Sequence, residues 1–189
     1  MKNDTWIKQQ VSENNMIAPF VDHTVRKDGD RKILSYGLSP SGYDLRLADK
    51  IVGRSDKAGL DPKNPSSAVV SEFDIEEDET GRYVWVPSGT FFASSIEYLK
   101  MPRNVSGFVL PKSTYGRCGI SVINPLIDAG WEGNLTIAAV NHSKNPVKIY
   151  LGEGFCQLVL FDVGDCEVSY DTRRPISRRQ GRCHEPHLT

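Results

Sequence analysis

No apolar run in this chain approaches the ~20 residues a helix needs to cross a bilayer, so nothing in it reads as a membrane span. No two cysteines are spaced as Cys-x-x-Cys, and no His-x-Glu precedes any of Cys118, Cys156, Cys166 and Cys183. That leaves out the Cys/His zinc site with which one class of hydrolytic enzymes generates hydroxide, and no zinc is expected. The thiols read instead as free, small, buried hydrophobes in a reducing compartment. An excess of either charge is also missing: 23 basic against 24 acidic side chains leave a formal net charge of −1. The molecule as a whole has no general attraction for nucleic acid or acidic membranes, and an anion site has to come from a local basic cluster. Met1-Lys2-Asn3-Asp4 lacks the basic, apolar and small-residue series of a secretory signal, so the expected location is cytoplasmic. Internal repeats and low-complexity tracts are absent too.

What is present suits one compact domain. The 189 residues are 39% hydrophobic and 25% charged, enough for a single sizeable core. Asp4 is expected to cap a short helix through about Asn14, with Trp6, Ile7 and Val11 on one face and Pro19 ending the segment. Short β-type runs separated by Gly, Pro, Asn and Asp follow, at 32–36, 43–47, 83–86, 90–94, 107–110, 120–123, 135–140, 147–150, 156–161 and 167–170. This texture predicts a mainly β domain, a sandwich or distorted barrel, behind a short N-terminal helix. The polar stretch 54–71, with Asp61-Pro62-Lys63-Asn64-Pro65, predicts a surface excursion. Beyond Tyr170 the chain turns basic, with Arg173, Arg174, Arg178, Arg179 and Arg182, so one domain spans 1–189 and 171–189 form its tail.

Four blocks carry chemistry. Pro111-Lys112-Ser113-Thr114-Tyr115-Gly116-Arg117-Cys118-Gly119 puts cations, hydroxyls and glycines directly after a strand. Such a turn can wrap phosphate oxygens, or it can be a polar hairpin whose hydroxyls satisfy their own backbone. Ile127-Asp128-Ala129-Gly130-Trp131-Glu132-Gly133 offers an acid beside a tight turn, able to hold a sugar hydroxyl or simply to shape the turn. Ser41-Gly42-Tyr43-Asp44-Leu45-Arg46-Leu47 places a carboxylate and a guanidinium on one strand face, where they could form an ion pair. Gly154-Phe155-Cys156-Gln157-Leu158 enters a buried strand that carries one amide, Gln157. His184-x-x-His187 in the tail is a weak metal signal, while Trp6, Trp85 and Trp131 read as core or interface packing.

In this order, the four blocks resemble the dUTPase and dCTP deaminase superfamily, from the N-terminal helix to Gln180-Gly181. The deaminase branch is the closer resemblance. Lys112 to Gly119 is similar to its second motif, and Tyr170 followed by arginines and Gln180-Gly181 is similar to its C-terminal tail. The resemblance implies a distorted β-barrel, jelly-roll-like dUTPase-type fold. It implies a homotrimer with sites between subunits that converts dCTP to dUTP and ammonia without zinc. Mg²⁺ would arrive on the triphosphate, with dTTP a candidate inhibitor and neither nucleic acid nor membrane as partner. By resemblance, Lys112, Ser113 and Thr114 serve the phosphates, and Ser113 also touches the reaction centre. Arg117 of a neighbouring subunit polarises the site, and Asp128 holds the deoxyribose 3′-hydroxyl. The backbone around Thr136 and Ile137 reads the base edge beside Trp131. Gln157 belongs to the block ending in Gln-Leu, and Tyr170, Arg178 and Gln180 close over the triphosphate. A lone short basic run fits that ligand better than nucleic acid.

The chain departs from the pattern in the tail, where the usual Lys-Tyr step is replaced near Ser177-Arg178-Arg179, and, with more consequence, at position 138. The family writes Thr-Ile/Leu-Glu, two residues and Asn, where this chain writes Thr136-Ile137-Ala138-Ala139-Val140-Asn141. Strand alternation puts Thr136, Ala138 and Val140 on one face, so the side that should carry the base has only neutral groups. Three readings follow: a deaminase whose glutamate has been replaced by Ala138, a dUTPase-like or bifunctional pyrophosphatase using Asp128, and a non-catalytic nucleotide-binding regulator.

Overall fold

The computed structural model describes residues 1–55, 63, 69–123 and 126–173. In chain order the elements are α1 (Asp4–Asn14), β1 (Ile17–Ala18), β2 (Thr24–Asp28), β3 (Arg31–Ser39), β4 (Gly42–Ser55), β5 (Val69–Glu72), β6 (Glu76–Asp78), β7 (Gly81–Val86), β8 (Gly89–Lys100), β9 (Val105–Pro111), α2 (Ser113–Arg117), β10 (Ile120–Ile123), β11 (Glu132–Asn141), β12 (Val147–Tyr150), β13 (Gly154–Asp162) and α3 (Tyr170–Arg173). The mainly β expectation is borne out. One ten-stranded antiparallel sheet follows the path β10-β11-β8-β4-β13-β9, with β1 on β8, β3 and β5 on β4, and β2 on β3. A three-stranded sheet, β12-β7-β6, lies beside it.

Helix α1 forms where expected and buries Ile7 fully, with Trp6 and Val11 packed partly against the core. Its cap is Asn3 rather than Asp4: Asn3 is extended, and its side chain accepts a hydrogen bond from the Trp6 N–H at 3.0 Å. Asp4 is already helical and sits in the first turn, where a carboxylate meets the positive end of the helix dipole. Pro19 does not end the helix either. Asn15 does, in a left-handed conformation with φ of 52°.

Side-chain alternation builds the core. In β11, Leu135, Ile137 and Ala139 are buried while Thr136, Ala138 and Val140 are half-buried, the division the period of two dictates. These buried residues join Tyr43, Leu45 and Leu47 of β4, Phe91 and Ala93 of β8, and Phe155, Leu158 and Leu160 of β13 in one cluster. The β8–β11 ladder carries a break. Asn134 pairs with Tyr98 and Thr136 with Ser94, so Leu135 alone faces Ser95, Ile96 and Glu97. The loosened backbone is satisfied by side chains, as buried polar groups must be. Leu135 N–H donates to Ser95 Oγ at 2.9 Å, and Asn134 Nδ2 donates to the carbonyls of Ser95, Ile96 and Glu97 at 3.3, 3.2 and 3.4 Å.

Residues 167–170 are not a strand. After Asp162 the chain runs exposed to Val168, and a helical turn follows, closed by Thr172 N–H and Thr172 Oγ1 donating to the Ser169 carbonyl at 3.2 and 2.7 Å. Local hydroxyl–backbone bonds there outcompete a ladder that has no partner strand. Strand β1 escapes sequence reading because it is only two residues long, β5 because it closes a polar stretch, and β2 and β6 because they carry at most one apolar residue. Of the described cysteines, Cys156 is buried, but Cys118 and Cys166 are exposed, contrary to expectation, and all three are free thiols. Trp131 lies in the core, whereas Trp85 is 46% exposed on β7. Among the described residues, no helix is long and apolar enough to cross a membrane.

Candidate functional site

The block after β9 is a helical turn, α2, rather than a hairpin. Tyr115 fixes it: the side chain is buried, its ring lies 4.9 Å from that of Phe155, and its hydroxyl accepts the Tyr150 N–H at 2.9 Å. Burial pushes the Tyr115 phenol far up, so it stays neutral. With Tyr115 pointing inward, Ser113, Thr114, Gly116 and Arg117 all face solvent. Two hydroxyls and a guanidinium on one exposed turn suit phosphate oxygens.

Lys112 behaves differently from its neighbours. Its ammonium turns into the protein, bonding Asp44 and, at 3.1 Å, Ser35 Oγ. Sequence reading set Asp44 against Arg46. Instead Asp44 takes Lys112, and Arg46 takes Glu97, with Nε at 2.7 Å from Oε1 and its own N–H at 2.9 Å from Oε2. Glu97 has no exposed surface, and burial pushes its carboxyl up against the pull of Arg46. The Arg46 guanidinium also lies 4.6 Å over the Tyr36 ring. Glu97 went unnoticed in the sequence, although a charged residue inside an alternating strand is the signal that marks it. Gln157, opposite Asp44 on β13, donates to Ser39 Oγ at 3.1 Å.

Asp128 is exposed at the start of the turn that leads into β11. The turn is held by Trp131 N–H on the Asp128 carbonyl at 3.1 Å and Gly130 N–H on Pro102 at 3.2 Å. Gly130 has φ of +79°, and a Cβ there would meet Asp171 Oδ1 at 2.6 Å. Tyr170 N–H donates to the Ala129 carbonyl at 2.9 Å, so the chain after β13 starts beside the Asp128 turn. Asp171 secures it, accepting from Ser169 Oγ and from Arg103 Nε and Nη2 at 3.1 and 2.8 Å. The Ser169 bond, then Arg103, hold that carboxyl below its usual range. Arg178 and Gln180 lie outside the described residues, as do Cys183, His184 and His187.

Ala138 stands opposite Ile123 on β10 and Phe92 on β8, and cross-strand partners share a face. Along β11 that face also carries Thr136 and Val140. The nearest titratable groups in sequence on this face are His142 and Glu132, which stand roughly 13 and 20 Å away along a strand. His142 Nε2 lies 2.7 Å from Ser121 Oγ, and Glu132 accepts the Tyr98 hydroxyl at 2.9 Å. Neither reaches position 138. Among the described residues, no three His, Cys, Asp or Glu side chains gather to hold a metal.

This is a mainly β, antiparallel protein with an exposed hydroxyl- and guanidinium-bearing turn and a half-buried strand face. Its fold is shared with 2′-deoxycytidine 5′-triphosphate deaminase from Agrobacterium tumefaciens, with a TM-score of 0.55 and 18% identity over 84% of this chain. The match spans 46% of that larger chain. Residues 1–163 match the model of the dCTP deaminase-like family. Proteins named dCTP deaminase from Azotobacter vinelandii and Pseudomonas putida are 39% and 38% identical over 179 and 176 residues, covering 92% of this chain and 91% of each relative. The chain belongs to the dCTP deaminase-like family.

Proposed function

We propose that this chain is a dCTP deaminase-type protein that binds dCTP but lacks the general base of the reaction, Ala138 having replaced a glutamate. The substrate is taken from the curated relatives, which are named dCTP deaminases. The observation that carries the reading is the strand face around Ala138: a methyl group between Ile123 and Phe92, flanked along β11 by Thr136 and Val140. Deamination without zinc requires that water lose a proton as its oxygen bonds to C4 of cytosine, and that the departing amine gain one. A glutamate at 138 would carry the first water proton to N3 as the hydroxyl adds to C4, then take the remaining hydroxyl proton and deliver it to the amine. The C–N bond would break, ammonia would leave, and C4 would keep the oxygen as the carbonyl of dUTP.

The remaining roles follow from chemistry and position. Ser113, Thr114 and Arg117 are exposed together on α2 and would hold the triphosphate, with Ser113 nearest the reaction centre. Asp128 would hold the 3′-hydroxyl, the backbone around Thr136 and Ile137 the base edge, and Trp131 would shape the turn from within the core. Gln157, Tyr170, Arg178 and Gln180 would complete the enclosure. Mg²⁺ would enter on the triphosphate oxygens, since the exposed groups of α2 are hydroxyls and a guanidinium, which are not metal ligands of choice. A homotrimer with Arg117 reaching a neighbour's site is supported by Ile123, an apolar side chain 60% exposed opposite Ala138. dTTP, keeping deoxyribose and triphosphate, would compete for the same groups, in the cytoplasm where such nucleotides are made.

Calorimetric titration with dCTP and Mg²⁺, together with ammonia release, tests this. The chain is expected to bind dCTP and release almost no ammonia, and Ala138→Glu to restore dUTP formation. An Ala138→Glu protein that yields no dUTP would sink the reading. Pyrophosphate release from dUTP by the unmodified chain would favour a dUTPase-type activity, alone or bifunctional with deamination. Binding with neither reaction, plus capture of a protein partner, would favour a regulator.

A further inference from the structure

Lys112 opens α2 yet shares none of its exposure. Its side chain is 13% exposed and that of its partner Asp44 is 12% exposed. The Lys112 N–H donates to the Phe155 carbonyl at 3.1 Å, and the Lys112 carbonyl accepts the Gly116 N–H at 3.0 Å. Its ammonium bonds Asp44 on β4 and Ser35 on β3. One residue is thereby tied to β13 through its backbone, to β3 and β4 through its side chain, and to α2 through its carbonyl.

The pair does not stand alone. Asp44 and Arg46 are two residues apart on β4, so they share a face, and Arg46 is bound by the wholly buried Glu97. Buried Cys156 pairs with Leu45, which lies between Asp44 and Arg46 on β4, and with Pro111, next to Lys112. The two oppositely charged pairs thus meet on one strand, β4, and one of them ends at the residue that precedes α2. A cation already matched by a carboxylate at contact distance has little field left for a phosphate, and that carboxylate would repel one.

We infer that Lys112 is a positioning residue that fixes α2 through Asp44 and Ser35, and that phosphate is left to Ser113, Thr114 and Arg117. The assignment of the ligand rests on the dCTP reading above; the tether does not. Rigid support of this kind is what holds a binding turn to its working geometry. Removing either partner leaves the other as an unpaired buried charge, so both single changes should loosen the same turn.

Lys112→Met, Asp44→Asn and the double substitution test this in two ways. In nucleotide-free protein, both single substitutions should speed hydrogen exchange of the Gly116, Cys118 and Gly119 amides. In titrations with dCTP, each should weaken binding by about tenfold, and the double change should be no worse than the weaker single. Unchanged exchange would overturn the inference, as would a lower melting temperature with unaltered exchange and affinity. Tighter dCTP binding by Asp44→Asn would also overturn it, because Lys112 would then be a phosphate ligand freed from its carboxylate. A loss in Asp44→Asn seen only with Mg²⁺ present would assign Asp44 to the metal side and equally overturn it. If the unmodified chain fails to bind dCTP, the functional reading falls, and the exchange measurement still decides the tether.

Discussion

Two regions of this molecule have been treated very differently. Around α2, charges are abundant and matched: Lys112 with Asp44, Arg46 with Glu97, and exposed Ser113, Thr114 and Arg117 ahead of them. Around Ala138, the surrounding positions Ile123, Phe92, Thr136 and Val140 are all neutral. Holding a nucleotide and transforming it are separate demands. The first needs many modest contacts, whereas the second can depend on one proton acceptor. The contrast teaches that one protein can concentrate its charge in paired groups at one strand end and leave another strand face wholly neutral.

The largest expected effect lies in the depleted region. Ala138→Glu should raise deamination by ~10²–10⁴ or more, read as ammonia released from dCTP. An equal rate in the two proteins would erase the contrast. Next comes the charged region. Arg46→Met strands Glu97 and should cost about 3–5 kcal/mol of stability, measured by urea unfolding. A loss below ~1 kcal/mol would mean that the pair is solvent-relaxed rather than buried.

A smaller effect is expected at the turn between the two regions. Gly130→Ala puts a Cβ against Asp171 at a left-handed position and should cost about 1–3 kcal/mol by the same measurement. The smallest effect is a pH dependence. Asp171 is held below the usual carboxylate range, so its contribution is present above the unfolded pKa of ~3.9 and lost as pH falls through the folded value. The melting-temperature gap between parent and Asp171→Asn should therefore close below about pH 4. A gap that persists at pH 2 would assign the effect to packing instead.

Much of the scaffold was legible in the residues themselves. Alternation in 135–140 assigned both faces of β11, and Trp6, Ile7 and Val11 marked the buried stripe of α1. The local chemistry of 113–117 did not separate a hairpin from a helical turn, because Ser and Thr serve both. What decides there is Tyr115, whose bond to the Tyr150 backbone comes from a strand far along the chain. The charge pairs were misread for a similar reason. Asp44 and Arg46 are close in sequence and on one face, yet each is claimed by a distant residue, Lys112 or Glu97, that no local pattern connects to it. Ala138 was conspicuous only against a family pattern, since an alanine in a strand is otherwise unremarkable. Residues 167–170 looked like a strand by composition and failed for want of a neighbour to pair with.

The irregularity opposite Leu135 has a consequence in parity. Three residues of β8, Ser95 to Glu97, stand against one of β11, so the excess is two rather than one. An even excess returns the pleat to the phase in which it started: Phe91, Ala93, Ser95, Glu97 and Leu99 all point inward. An odd excess would invert every side chain beyond it. The strand can therefore swell at this point, turning a carboxylate inward toward Arg46, while the residues on either side keep their sides of the sheet. By the same count, removing one residue from 95–97 would exchange inside for outside along one arm of β8, whereas removing two would leave a plain ladder in register.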